Sequence, residues 1–357
     1  MFTDVHLKNF AAFSDFHWSG HGQINVVVGE NDTGKSHLLK VLYAIAKTVE
    51  THAARKAGNP EAPAEPNVFI NKLKWVFQPP RLDALIKNGS KSVRIETQLA
   101  GRTYSCDYIR ARVRGSAKGV KRPIHVKGFA QAPTTETSAI FLPPKEVLTI
   151  FAAIEISRGN YEIFGFDDTY YDLLKLLRVP PTQGHILPQL LTIAEGLEKF
   201  VGGPITRTGL SDEFLFQRGK QTYTMPQTAD GIKKIGILTN LIKNRSLTKG
   251  TILFLDEPET NLHPKAISVF TEMLFNLAQA GIQIYLATHS YFVLKQLEIL
   301  AKRHQMSIPF CSLMRSGDDI EAQFSDMRDG MPENPIIDES LRLYEEGYNV
   351  DMQLSGK

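Results

Sequence analysis

The stretch GENDTGKS at residues 29–36 decides the fold. It follows the apolar run INVVV (24–28), which favours a buried strand, and it precedes LLKVLYAI (38–45), in which apolar residues recur with helical spacing. The spacing G-x-x-x-x-G-K-[ST] between a strand and a helix is that of a phosphate-binding loop, or P-loop. Backbone N–H groups of such a loop and of the helix N-terminus face one oxyanion cluster. The stretch therefore predicts nucleotide binding and leaves the use of the nucleotide open.

Two side chains of the loop have a defined chemistry. The Lys35 ammonium is expected on the β- and γ-phosphates of ATP, and the Ser36 hydroxyl is expected to ligate Mg²⁺. The nucleotide-binding residues predicted in the loop are Gly29, Glu30, Asn31, Asp32, Thr33, Gly34, Lys35 and Ser36.

Composition limits the class of protein. The 357 residues suffice for one large or two modest domains, and 42% apolar with 22% charged residues is typical of a globular chain. A formal charge of +3 is too small to indicate nucleic-acid binding by itself. Cys106 and Cys311 lie far apart in the sequence, which makes a disulfide framework unlikely and fits a reducing compartment. With no apolar run of membrane length and no apolar signal core at the N-terminus, we expect a cytoplasmic protein without a membrane partner.

The chain divides into five segments by pattern. Residues 1–50 hold two short strands, the P-loop and its helix, and an Ala- and Pro-rich surface loop follows at 57–66. Residues 68–130 alternate in polarity and predict a β-rich, basic insertion. Residues 145–225 predict a helical lobe that ends in a hairpin turning at 218–220. Residues 226–315 form the second part of the core, and 316–357 an acidic tail with one helix at 337–346.

The second part of the core predicts a hydrolytic centre. The strand TILFL (251–255) ends in Asp256 and Glu257, which is a Walker B arrangement. Asp256 is expected in the Mg²⁺ shell, and Glu257 is placed to polarise the attacking water, a role worth on the order of 10²–10⁴ in rate. A later strand, IQIYLAT (282–288), is followed by His289, which can hydrogen-bond the γ-phosphate or the water.

These motifs together resemble a known family. FLDEPETNLHP (254–264), ATHS (287–290) and the opening HLKNFAAFSDFHW (6–18) are similar to ABC-type ATPase heads, including SMC-like and OLD-like proteins. The resemblance implies an α/β P-loop NTPase of the ABC-ATPase head type, with a mixed sheet core, an antiparallel β subdomain and a helical lobe. In those families two heads close face to face around two ATP molecules. ETNLHP would be the D-loop at that interface, with Asn261 as its working residue.

The sandwich implied by the resemblance needs a signature segment that reaches the partner's γ-phosphate. The candidate is TADGIKK (228–234), at a helix N-terminus that suits an anion, with Ala229, Gly231 and Lys233 as its binding residues. The alternative is that Asp230 or Thr228 is an ordinary N-cap. The segment lacks the Ser-Gly-Gly of transporters and is closer to the A-E-G-x-[RK]-K pattern of stand-alone AAA ATPases of bacterial anti-phage defence systems. PPKE (143–146) is the candidate for the Q-loop region.

Asp32 departs from the family pattern, because ABC-type loops usually carry a second glycine there. Such a site often needs a positive φ angle, which Asp tolerates better than most residues. Its carboxylate near a triphosphate costs electrostatic free energy unless Mg²⁺ or a lysine offsets it.

Charge is also unevenly distributed. Arg110, Arg112 and Arg114 alternate with Ile109, Ala111 and Val113, so one strand face would be basic and the other buried. This face fits DNA or an acidic partner, and a solvated strand face is the open alternative. The acidic residues of 318–346 raise a metal nuclease site as a question, but a TOPRIM domain needs more chain than remains.

The leading functional hypothesis is an ATPase switch. It would form a homodimer or higher homo-oligomer through an ATP sandwich and gate a separate effector, a nuclease or toxin, in anti-phage defence. The alternative is an SMC-like DNA-repair or DNA-end-binding ATPase head, weakened because no coiled coil separates the Walker motifs. A transporter motor is disfavoured by the missing transporter signature.

Overall fold

A computed structural model describes residues 1–58, 68–110, 124–129, 137–181, 184–208 and 213–355. Its strands, in chain order, are β1 (Phe2–Phe10), β2 (Phe13–Ser19), β3 (Ile24–Gly29), β4 (Ser92–Leu99), β5 (Arg102–Ile109), β6 (Ile124–Lys127), β7 (Ala139–Leu142), β8 (Ile205–Arg207), β9 (Phe214–Arg218), β10 (Gln221–Thr224), β11 (Ile252–Asp256), β12 (Gln283–Ala287), β13 (Pro309–Ser316) and β14 (Asp319–Asp326). Its helices are α1 (Lys35–Lys56), α2 (Val68–Phe77), α3 (Phe151–Ile154), α4 (Asp168–Arg178), α5 (Pro188–Val201), α6 (Asp230–Lys243), α7 (Pro264–Gln279), α8 (Tyr291–His304) and α9 (Pro335–Ser355).

A six-stranded sheet in the order β14-β13-β3-β12-β11-β7 forms the centre of the fold. Neighbouring strands from β13 to β7 are parallel, and only β14 pairs antiparallel, at the edge. Strands β3, β11 and β12 are buried along their whole length, as expected for a parallel sheet covered on both faces. Helix α1 packs under this sheet, and its predicted apolar positions are all buried: Leu38, Leu39, Val41, Leu42 and Ile45. The mixed α/β core predicted from the P-loop is confirmed.

The antiparallel subdomain is a five-stranded sheet in the order β2-β1-β4-β5-β6. The predicted β-rich character is confirmed for β4 and β5, which pair antiparallel across a turn at Gly101. Strand β4 pairs directly with β1, so this segment extends the N-terminal sheet and is not a separate insertion. The expectation that alternation begins at residue 68 is wrong, because α2 occupies 68–77 and buries Val68, Phe69, Leu73 and Val76. Those positions fit one broad helical face.

The basic strand face predicted at 109–114 is also corrected. Strand β5 ends at Ile109, which is 46% exposed and not buried as the alternation required. The Arg110 guanidinium donates to the Ile86 carbonyl at 3.0 Å. The remaining positions of that face, Arg112 and Arg114, lie outside the described residues, as do most of the loop at 57–66 and the residues Ala111 and Val113.

The helical lobe follows β7. A π-helical segment (Glu155–Asn160) continues α3, and α4 ends at Arg178, shortly before Pro180. The predicted hairpin is β9–β10, joined at Gly219 and Lys220, and β8 adds a third strand. Helix α6 begins at Asp230, within the candidate signature segment at 228–234.

The C-terminal segment, predicted as an acidic tail with one helix, contains the strand β14 and the helix α9. Strand β13 pairs with β3 and with β14, so residues 319–326 belong to the central sheet. The predicted helix at 337–346 is part of the longer α9, on which Leu341, Tyr344 and Tyr348 are exposed. Among the described residues, no helix combines the length and the apolarity that crossing a membrane requires.

A buried ion cluster joins the lobe to the helices beside the P-loop. Lys72 of α2 lies 2.5 Å from Asp168 and 2.8 Å from Asp172, both on α4, and Arg158 also contacts Asp168 at 2.8 Å. Burial alone would raise the pKa of Asp172, but the charges of Lys72 and Lys175 lower it well below its usual value. The cluster therefore holds α4 against α2 with ionised, paired groups.

Replacing Lys72 by methionine should destabilise the protein by about 3 kcal/mol, because two buried carboxylates lose a shared cation while Arg158 and Lys175 remain. Lys295→Met is the matched control, since Lys295 is 47% exposed in its pair with Glu298 and should cost within about 1 kcal/mol. Denaturant unfolding measures both variants. Equal losses of unfolding free energy would show that the cluster does not hold the lobe.

Candidate nucleotide-binding site

The P-loop connects β3 to α1 through two glycines whose backbone other residues cannot easily adopt. Gly29 has φ +154°, and a Cβ there would lie 2.5 Å from the Leu313 carbonyl. Gly34 has φ +89° and caps α1, and a Cβ there would lie 2.9 Å from the Phe13 ring. The Thr33 hydroxyl donates to the Glu30 carbonyl at 2.9 Å and fixes the loop from inside. The loop is therefore a preformed concave turn at a helix N-terminus, which is the geometry of an anion site.

The Lys35 ammonium lies inside this turn. Its Nζ donates to the carbonyls of Gly29 at 2.9 Å and Glu30 at 2.7 Å, and the side chain is buried. Burial lowers the pKa of Lys35, while the nearby carboxylates of Glu257 and Asp256 raise it. A buried cation whose direct partners are neutral carbonyls fits a polyphosphate, because phosphate oxygens would supply the missing negative charge.

Asp256 and Ser36 lie together at the ends of β11 and the loop. Burial raises the pKa of Asp256, and a hydrogen bond with the Ser36 hydroxyl opposes that rise. One carboxylate and one hydroxyl suit Mg²⁺, which usually takes few protein ligands and completes its shell with water and phosphate oxygens. The residues predicted to hold Mg²⁺ are thus brought together.

Glu257 and His289 face each other at the ends of adjacent strands. The Glu257 Oε1 lies 3.5 Å from the His289 Nε2, and both side chains are partly exposed. Glu257 has φ +48°, with its N–H bonded to the Ala287 carbonyl. Burial and the charge of Lys35 lower the pKa of His289, which favours the neutral imidazole near pH 7. The pair can accept and orient a water proton.

The D-loop and the signature segment contact each other within one chain. Asn261 has φ +65°, and its Nδ2 donates to the Asp230 Oδ2 at 3.0 Å. The cap of α6 is Ala229, without a side-chain bond, and the Thr228 hydroxyl donates to the Thr224 carbonyl. The ordinary N-cap alternative is therefore wrong for both Asp230 and Thr228. A Cβ on Gly231 would lie 2.7 Å from the Leu262 side chain, so this glycine allows the close approach.

Lys233 occupies a different place from the one its predicted role requires. It is 4% exposed, and its Nζ lies 2.8 Å from the Thr149 hydroxyl, 3.0 Å from Asp230 and 3.6 Å from Glu146. In this conformation the ammonium is neutralised within its own chain and does not present itself to a partner. The contact also places Glu146, from the candidate Q-loop region, beside the signature segment.

Sequence reasoning missed two contacts of the site. Asp32 does have a positive φ, +62°, as expected, but its carboxylate is bound by Arg315 at 2.8 Å. Glu259 binds the Thr288 hydroxyl and the His289 N–H. Glu259 and Thr288 lie within the motifs at 254–264 and 282–288, whereas nothing in the local sequence indicates a role for Arg315. It reaches the P-loop because β13 pairs with β3.

A cleft of about 450 Å³ opens beside the loop. It is lined by Gly29, Glu30, Asn31 and His289, with Pro335 and Ile336 from the start of α9. The P-loop and His289 thus line the same open cleft.

Comparisons with known proteins identify similar sequences and a similar fold. A family model described as "AAA domain, putative AbiEii toxin, Type IV TA system" matches residues 143–295. The Old nuclease of Escherichia phage P2 is 41% identical over 58 residues, which are 16% of this chain and 10% of the nuclease. The match thus spans about a tenth of that protein's length.

Two of the solved structures that are similar to this chain are SMC head domains. An SMC head bound to the C-terminal winged-helix domain of ScpA superposes with a TM-score of 0.55 at 10% identity, covering 92% of this chain and 99% of that one. An SMC head domain from Thermotoga maritima gives 0.46 at 14% identity, covering 90% and 98%. At such identities the first likeness concerns the fold alone. Together with the match to the AAA family model, this likeness indicates that the chain is an ATP-hydrolysing P-loop NTPase with an SMC-head-like α/β fold.

The Asp32–Arg315 pair leads to a prediction. Arg315→Gln should weaken ATP binding several-fold, because the Asp32 carboxylate then faces the phosphates without its cation. Asp32→Gly should bind as well as wild type or better, since glycine accepts the positive φ and removes the charge. In the Asp32→Gly background, Arg315→Gln should have a smaller effect. Titration with a labelled ATP analogue at low salt measures all four proteins, and a large loss in Asp32→Gly alone would contradict this account.

Proposed function

We propose that this chain is an ATPase switch: two copies close on ATP and Mg²⁺, hydrolysis releases them, and the cycle gates a separate effector protein. The observation that carries the proposal is the convergence of Lys35, Asp256, Glu257 and His289 at one sheet edge. The contact of Asn261 with Asp230 next to this centre supports a face built for a partner. ATP would supply the phosphoanhydride bond, and Mg²⁺ would neutralise charge on its oxygens.

The residues of the chain divide the work. Lys35 would exchange its bonds to two loop carbonyls for bonds to phosphate oxygens, and Ser36 and Asp256 would hold Mg²⁺. Glu257 takes a proton from the attacking water, and the neutral His289 hydrogen-bonds and orients that water. Closing a second copy over the face would exclude bulk water and complete the site with the partner's signature segment.

The effector role rests on what the similar proteins are named for. One match is a phage nuclease, and the other is a family model whose description names a toxin and a toxin–antitoxin system. We propose that the chain gates such an effector in anti-phage defence in the cytoplasm. Coexpression with the product of a neighbouring nuclease or toxin gene tests this: variants of the ATP site should change the effector's toxicity. Toxicity that is unchanged in the ATP-site variants would refute gating. ATP-dependent binding of the protein to DNA ends would favour a DNA-binding head.

Glu257→Gln should bind ATP and Mg²⁺ normally, because Lys35, Ser36 and Asp256 remain, but hydrolyse ATP about 10²–10⁴ times more slowly. A closed dimer should then accumulate, visible as an ATP-dependent gain in mass by light scattering. Lys35→Ala is the matched contrast, since it loses the cation on the phosphates and should neither bind ATP nor gain mass. A Glu257→Gln variant that hydrolyses ATP at the wild-type rate would exclude Glu257 as the base.

Composite sites make a further prediction. If each site takes Lys35 and Glu257 from one chain and the segment 229–233 from the other, Lys35→Ala and Gly231→Glu subunits should complement each other. The mixed dimer would contain one intact site and recover part of the hydrolysis that neither variant has alone. Melting temperatures must first show that Gly231→Glu folds, since its side chain meets Leu262. Heterodimers that form and close on ATP without hydrolysis would rule out shared sites.

A further inference from the structure

Glu259 connects the D-loop to the histidine of the proposed hydrolytic centre. Its Oε1 accepts two hydrogen bonds, from the Thr288 hydroxyl at 2.7 Å and from the His289 backbone N–H at 2.8 Å. The Thr288 hydroxyl in turn accepts from the Ser290 N–H at 3.0 Å, where α8 is capped. A single carboxylate oxygen therefore fixes the backbone of the segment that carries the imidazole.

The backbone around Glu259 forms further hydrogen bonds within residues 257–262. Its carbonyl accepts from the Leu262 N–H, and the Glu257 carbonyl accepts from both the N–H and the hydroxyl of Thr260. Residues 257–262 thus form one compact turn that starts at the catalytic carboxylate. Asn261 in this turn binds Asp230 of the signature segment.

The second carboxylate oxygen of Glu259, Oε2, lies in a different environment from Oε1. Oε2 is buried and has no hydrogen-bond partner among the described residues. Burial raises the pKa of Glu259, while its hydrogen bonds from Thr288 and His289 lower it. A buried carboxylate with an unpartnered oxygen is costly to keep for stability alone. The role of Glu259 therefore lies in the two hydrogen bonds that Oε1 accepts from Thr288 and His289.

We propose that Glu259 is a positioning residue for ATP hydrolysis, which sets the His289 imidazole against Glu257 through the Thr288–His289 backbone. The inference rests on the proposed ATPase function and deepens it. Because the same turn holds Asn261 against Asp230, a partner that displaces this contact moves Glu259 and, with it, His289. The arrival of a second subunit is in this way coupled to the geometry of the water-activating pair.

The test compares two substitutions at Glu259. Glu259→Ala removes both hydrogen bonds, and kcat should fall about 10²-fold, the loss that a misplacement of about 1 Å causes. The dissociation constant of a labelled ATP analogue should stay within a few-fold of wild type. Glu259→Gln keeps an oxygen for Thr288 and His289, so kcat should remain within about tenfold of wild type. If Glu259→Gln is as slow as Glu259→Ala, the charge and not the positioning matters, and the proposal is wrong.

A second comparison asks whether Glu259 acts through His289. The double variant Glu259→Ala/His289→Ala should hydrolyse ATP as slowly as His289→Ala alone, because the positioned group is already absent. Multiplied losses in the double variant would overturn the proposal and leave Glu259 with a general structural role. Thr288→Val should reproduce part of the loss in kcat by removing one of the two donors.

Matched controls separate this effect from damage to the core. Thr271→Val in α7 alters an equally buried threonine whose hydroxyl has no hydrogen-bond partner in the described part of the chain, and Glu298→Ala in α8 removes a buried carboxylate held by Lys295 and Lys302. Both should leave kcat near wild type. Wild-type protein without ATP hydrolysis would refute the proposed function, whereas an active wild type with an equally active Glu259→Ala would refute the positioning role only.

Discussion

The site depends on one constraint, which is that neighbouring strands of the central sheet run parallel and end at the same edge. Strand β3 delivers the P-loop there, β11 delivers Asp256 and Glu257, and β12 leads into Thr288 and His289. Loops at the carboxyl ends of parallel strands meet in a crevice where ligands bind in open α/β sheets. The ends of these strands therefore bring segments that are far apart in the sequence within hydrogen-bond distance of one another.

The charged groups of the face are held by contacts within the chain. Lys35 is bonded to two loop carbonyls, Lys233 to Asp230 and Thr149, and Arg315 to Asp32. A phosphate that binds Lys35 must replace its bonds to the loop carbonyls, so the binding free energy is the difference between two well-satisfied states. Such exchange favours a switch, because a ligand shifts the equilibrium only by its preference for one of the two arrangements.

Motifs with a local physical cause were predictable, and residues positioned across the sheet were not. The P-loop, the Walker B strand and α6 follow from spacing and apolar pattern, and the structure places Lys35, Ser36, Asp256 and Glu257 close together. The prediction that β structure begins at residue 68 was wrong because residues 68–77 form α2. This helix buries one broad face, and over ten residues its apolar pattern does not distinguish a helix from a strand. Asp230 resembled a cap by type, yet its carboxylate binds Asn261, a partner that only the folded chain supplies.

The sequence by itself determined the ligand chemistry: the glycine spacing shapes the loop, and Lys35 with Asp256 sets the charges that phosphate and Mg²⁺ require. Tertiary structure alone decided how these groups are connected. Strand order put Arg315 beside Asp32, and the turn after β11 put Glu259 under His289. The physical reason is that a hydrogen bond depends on distance and direction in space, while the sequence records only which groups are available to make it.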